Sequence, residues 1–76
     1  AIIEMPVEMG SPAAGAKVCD IHWPQGALIV AIRRGEAEFV PNGSTQILCG
    51  DYLVALSTKQ QFAAMNQELM QICRAP

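Results

Sequence analysis

The sequence predicts an α+β fold: a small β-sheet, a short N-terminal helical turn and a C-terminal helix packed on one face. Three observations carry this. Two unbroken apolar runs, residues 27–32 and 52–56, have strand length and are bounded by turn residues. Two turn signals, Arg34-Gly35 and Asn42-Gly43, stand between them, with a half-polar stretch at 36–40. Beyond residue 57 the apolar residues change from run to stripe. Phe62, Met65, Leu69 and Ile72 recur at i, i+3, i+7 and i+10, the spacing of one helix face.

Taken in order, residues 2–9 alternate, with Ile3, Met5, Val7 and Met9 on one side and Glu4, Pro6 and Glu8 on the other. That is a half-buried strand, and Pro6, which has no N–H to donate, places it at a sheet edge. Gly10-Ser11-Pro12 reads as a turn into a helix start, with Ser11 as N-cap and Pro12 as first helical residue. Gly15 breaks that pattern early, and 17–21 forms a short second turn with Val18 and Ile21 inward. Residues 22–26, His-Trp-Pro-Gln-Gly, are a loop. Residues 27–33 and 36–40 make a hairpin over Arg34-Gly35, with Ala37 and Phe39 on one side and Glu36 and Glu38 on the other. Residues 41–44, Pro-Asn-Gly-Ser, turn the chain, 45–48 is extended, and Cys49-Gly50-Asp51 leads into the last strand. Asp51 is expected to stabilise its own turn through a side-chain hydrogen bond. Apolar runs such as 27–32 and 52–56 fit strands covered on both faces. Thr58-x-x-Gln61 matches a capping box at the start of the helix.

A chain of 76 residues reads as one domain, 1–76. At this size a fold buries only roughly 60% of the surface its unfolded chain exposes. Yet 51% of the residues are hydrophobic, 16% are charged, and the mean hydropathy is +0.24. This exceeds what one small core hides, so the surplus predicts an exposed apolar face used for self-association or docking. The net charge of −2 and the lack of a basic run exclude a nucleic-acid surface. No stretch approaches the 18 or so consecutive apolar residues of a membrane span. The chain begins without Met, directly in strand-like sequence, and reads as a piece of a longer protein. Cys19, Cys49 and Cys73 are odd in number and form no Cys-x-x-Cys pair, so they read as buried free thiols rather than metal ligands.

Catalytic chemistry has little to work with. The lone His22 stands in a loop. There is no Gly-x-Ser-x-Gly elbow, dinucleotide fingerprint or phosphate-binding Gly-Lys loop, so neither an enzyme nor a cofactor is expected. Glu4, Glu8, Glu36 and Glu38 alternate on strand faces and read as solubilising residues. Arg33-Arg34 has two readings. Paired guanidiniums at a strand end match an anionic ligand, or they cap the hairpin by pairing with Glu36 or Glu38.

Four segments in order then resemble the TrkA C-terminal domain family, also called the RCK C-terminal domain. They are the Ser11-x-x-x-Gly15-x-x-Val18-x-Asp20-Ile21 segment, Ile32-Arg33-Arg34-Gly35, Val40-Pro41-Asn42-Gly43-Ser44-Thr45, and Leu48-Cys49-Gly50-Asp51-Tyr52-Leu53. Cys49 departs from a position that is often small or polar in the family. The resemblance implies a small α+β domain with a mainly antiparallel sheet and a flanking helix, usually a homodimer. It implies attachment to the cytoplasmic side of an inner-membrane ion-transport protein: potassium uptake regulators, cation/proton antiporters, anion symporters or bacterial chloride channels. In some members a small anionic ligand, cyclic di-AMP, is held at the dimer interface. Carried over by position, the ligand-facing residues would be Ile29, Val30, Arg33 and Pro41, and Arg34 joins them on charge alone. The alternative is a purely structural dimerisation domain without a ligand.

Overall fold

The computed structural model describes residues 1–76. Strands β1 (Ile2–Pro6), β2 (Leu28–Arg34), β3 (Ala37–Phe39) and β4 (Tyr52–Leu56) form one antiparallel sheet in the order β1-β4-β2-β3. Helix α1 (Phe62–Cys73) follows. The expected α+β class holds. β4, the last strand in sequence, is central in space, flanked by β1 and β2.

Alternation along the strands sorts the sheet into two faces. Ile3 and Met5 of β1, Ile32 of β2, and Leu53 and Ala55 of β4 are buried. They share a core with Met65, Leu69 and Cys73 of α1, and with Val7, Ala13 and Ile47 from the connecting segments. The opposite face is different. Ile2, Leu28, Tyr52 and Leu56 lie between 39% and 62% exposed. The expectation that the apolar strands are covered on both faces therefore fails. One helix and its connecting loops cover one face only, and the apolar surplus lies on the other.

Several local expectations are also corrected. β1 stops at Pro6 instead of running to residue 9, and Met9 is 80% exposed. Val7 still bonds to the segment before β4, its N–H donating to the Asp51 carbonyl and its carbonyl accepting the Gly50 N–H, and the chain then leaves the sheet as the Glu8 N–H donates to the Cys73 carbonyl of α1. Residues 9–15 are turns and not the start of an α-helix. The Ala14 N–H does donate to Ser11 Oγ, at 3.3 Å, as a cap would require. Gly15 then adopts φ +85°, a left-handed conformation that ends any helix, and its N–H donates to the Ile47 carbonyl. Residues 16–18 go on to bond with 45–47, with Lys17 bridging Gln46, and this pairing wins over helix propagation. The expected second turn survives as a single 3-10 turn, Val18–Asp20.

The β2–β3 hairpin turns one residue later than expected. Arg34 is still paired with Ala37, so the loop is Gly35-Glu36. In the C-terminal region the Gln61 N–H donates to Thr58 Oγ1 at 3.2 Å, but this closes a turn just before α1. Phe62 is 40% exposed, and the buried stripe is Met65, Leu69 and Cys73. Only Cys73 is a buried thiol, since Cys19 and Cys49 are exposed. Burial pushes the Cys73 thiol up to about 11.

Candidate functional site

The open face of the sheet is organised by an irregularity in β2. Ile29 pairs with Ala55, Ala31 with Val54 and Ile32 with Leu53, leaving Val30 as an extra residue. In a regular strand Ile29 and Ile32, three residues apart, would face opposite ways. The bulge lets both reach the core, where Ile32 is wholly buried and Ile29 packs partly buried. Val30 and Ala31 are left together opposite Val54 on the open face.

The register then builds three rows across that face. Ile2, Leu56 and Leu28 form an apolar row, exposed by 62%, 39% and 58%. Glu4, Val54 and the Val30-Ala31 bulge form the second. Pro6, Tyr52, Arg33 and Glu38 form the third, so the face grades from purely apolar at one end to charged and aromatic at the other. The Arg33 guanidinium forms an ion pair with Glu4 and lies over the Tyr52 ring, 5.5 Å from its centroid.

Arg34, the next residue, faces the other way. Its Nε donates to Asp51 Oδ1 at 2.9 Å, and its Nη2 donates to Oδ2 at 2.8 Å and to the Gln46 carbonyl at 3.0 Å. Its Cζ is 5.1 Å from the Phe39 ring centroid. Asp51 is 1% exposed, and its Oδ2 also accepts the Leu48 N–H at 2.9 Å, which is the turn-stabilising bond expected of it. Burial alone would push the Asp51 carboxyl up. The hydrogen bonds from Arg34 and Leu48, with the Arg34 charge, overcome that and hold it below its ordinary value. The hydrogen bond to Asp51 raises the Arg34 guanidinium in turn. Neither arginine pairs with Glu36 or Glu38. Their carboxylate partners come from β1 and from the turn just before β4, which no local reading reaches.

The five residues expected to face a ligand are thus divided. Val30 and Arg33 lie on the open face, Ile29 packs against the core, Arg34 braces the Asp51 turn, and Pro41 stands half-buried just after β3. Sequence reasoning missed Tyr52 and Glu4 as neighbours of Arg33. For Tyr52 the signal is the adjacency of the Gly50-Asp51-Tyr52 and Arg33-Arg34-Gly35 motifs once β4 and β2 are paired, and for Glu4 there is none. The concave hollows of the single chain lie elsewhere, beside α1. The largest, about 400 Å³, is lined by Gln67, Met70, Gln71, Arg74, Ala75 and Pro76. The open face is shallow in one chain, so a pocket around Arg33 requires a second wall.

Compared with known families, residues 2–70 match the TrkA-C domain. The chain belongs to the TrkA-C domain family. TrkA-C domains are regulatory domains of ion-transport proteins, and the RCK C-terminal resemblance read from the four motifs is the same family. A solved structure described as an RCK domain with cda has the same fold. It aligns with a TM-score of 0.71 at 22% identity, covering 90% of this TrkA-C chain and 96% of its own. No curated protein sequence matches the chain. No helix of this TrkA-C domain is long and apolar enough to cross a membrane.

Proposed function

We propose that residues 1–76 form one TrkA-C regulatory unit that pairs with a second copy through its open sheet face. A small anion, with cyclic di-AMP the first candidate, binds between the two copies at Arg33. The observation that carries this reading is the apolar row Ile2, Leu56 and Leu28 lying two rows from Arg33 on one uncovered face. The face is self-complementary for a two-fold pairing, because the apolar end can meet its copy while Arg33 and Glu38 offer both charges to theirs. Two such faces would wall a cleft that one chain lacks. Val30, Arg33 and Pro41 are the contacts proposed for the ligand, Ile29 supports Val30 from beneath, and Arg34 fixes the strand end that presents Arg33. The parent would be a membrane protein of the potassium-uptake, cation/proton-antiport or chloride-channel type, with this unit on the cytoplasmic side of the inner membrane. Ligand binding regulates such a parent if the ligand prefers one geometry of the pair.

A second reading, a structural dimer without a ligand, is favoured by one observation: both arginines already have carboxylate partners. Sedimentation with isothermal titration of cyclic di-AMP separates the two. The expected result is a two-chain particle taking one ligand per two chains, with Arg33→Ala abolishing the heat and leaving the particle intact. A two-chain particle that takes no ligand at millimolar concentration establishes the second reading, and a single-chain particle under all conditions overturns both.

A further inference from the structure

Arg33 is not a free cation waiting for a ligand. Its partner, Glu4, reaches it diagonally across β4 from the edge strand β1. The side chains of the pair are 41% and 46% exposed, so water competes for both. Glu38 stands directly opposite Arg33 on β3, yet it makes no ion pair with it. The guanidinium therefore turns toward β1, lying over Tyr52 on the way.

The geometry points to Glu4 as a built-in competitor for Arg33: a carboxylate that holds the guanidinium until an anion displaces it. This rests on the reading of Arg33 as the anion contact. A carboxylate and a phosphodiester each carry one negative charge and offer two oxygens to a guanidinium fork. The exchange at the guanidinium is therefore one for one, with Glu4 keeping its own charge in water. Glu4 is exposed on an edge strand and can swing into water by changing rotamer alone, with no strand displaced. Tyr52 supports the guanidinium in both states. Only the unpaired fraction of Arg33 binds, so the apparent dissociation constant rises by the reciprocal of that fraction. An exposed ion pair changes such an equilibrium by up to about fivefold. Where two chains share one ligand, two pairs open, and the combined factor reaches up to about 25-fold.

The test is isothermal titration of cyclic di-AMP into the wild-type chain, Glu4→Gln, Glu4→Asp and Arg33→Ala, each checked by thermal melting. We expect Glu4→Gln to bind about 2-fold to 25-fold more tightly and Glu4→Asp, which keeps the charge, to stay near wild type. Arg33→Ala is expected to lose binding, with melting temperatures of all four within about 8 °C of one another. If Arg33→Ala loses binding but Glu4→Gln binds no more tightly than wild type, the competitor is overturned and the ligand reading stands. If Arg33→Ala binds as wild type does, or if no variant binds at millimolar ligand, the ligand reading falls and the competitor with it.

Discussion

The two faces of this sheet are built from similar residues and meet different fates. On the helix side, Ile32, Leu53, Ala55, Leu69 and Cys73 are wholly buried and the one buried carboxylate, Asp51, has every oxygen engaged. On the other side Ile2, Leu28 and Leu56 stand in a row with between two-fifths and three-fifths of their surface in water. In β4 and the first half of β2 the sequence does not distinguish the faces by hydrophobicity. Coverage does. A chain of this length has enough connecting segment and helix for one face, and its apolar composition is set for two. The first face supplies the stability of the single chain, and the second is available for association.

The sharpest way to break this comparison is to truncate matched leucines on the same strand. Leu53→Ala, in the core, should destabilise the chain by about 2–5 kcal/mol, whereas Leu56→Ala, three residues on, should cost under about 1 kcal/mol. Urea unfolding of both variants, at a concentration where only single chains are present, is the measurement. Equal losses would mean that both faces support the single chain.

Next in size is the Asp51 brace. Asp51→Asn removes the charge but keeps the shape, and should cost about 2–3 kcal/mol, toward the low end of buried-pair losses because the Arg34 side chain is 38% exposed. For a chain of this size that lowers the melting temperature by roughly 8–24 °C. The pH dependence follows from direction. The folded carboxyl lies below its unfolded value of about 3.9, so its stabilisation is present above that pH and is lost as pH falls through the folded value. Acid titration of stability should show this loss below about pH 4 in wild type, and Asp51→Asn should lack that share of it.

On the open face the effects on single-chain stability shrink. Leu28→Lys should leave urea unfolding within about 0.5 kcal/mol of wild type while converting the paired species to single chains in sedimentation. Arg33→Ala should cost about 0.2–1 kcal/mol in stability, the range of an exposed ion pair. The smallest perturbation is thiol labelling at pH 8. Cys19 and Cys49 should react promptly, and Cys73, buried with its thiol pushed up to about 11, should react only at the rate of unfolding.

Much of the fold was legible because it is written locally. The run at 52–56 needed only its length and its flanking Gly50-Asp51, and α1 needed only the spacing of Met65 and Leu69. What was not legible depends on partners distant in sequence. Ser11 and Pro12 are good helix-start residues, and only the pairing of 16–18 with 45–47 shows why no helix grows. The Val30 bulge is invisible until β4 fixes which residues it must oppose. Asp51 was rightly read as a turn residue from its neighbours, but Arg34 is seventeen residues away, and β2–β4 adjacency alone brings them together. The candidate site follows the same rule. Arg33 could be proposed from its charge and Val30 from the family resemblance alone, whereas Glu4 and Tyr52 reach Arg33 only through the sheet order.

That order has a consequence for how the chain acquires its structure. Of the four strands of this sheet β1 is synthesised first, and its only neighbour in the sheet is β4, fifty residues later. The β2–β3 hairpin can close early and alone, but β1 has no ladder to join until residues 52–56 have emerged. A two-stranded hairpin is at best marginally stable in water. Productive structure is therefore expected to arrive late and cooperatively in translation, when β4 is inserted between two waiting strands. Until then the residues of both faces are exposed together, and a chain stalled before residue 52 presents its apolar strands to whatever chaperone or aggregate meets them first.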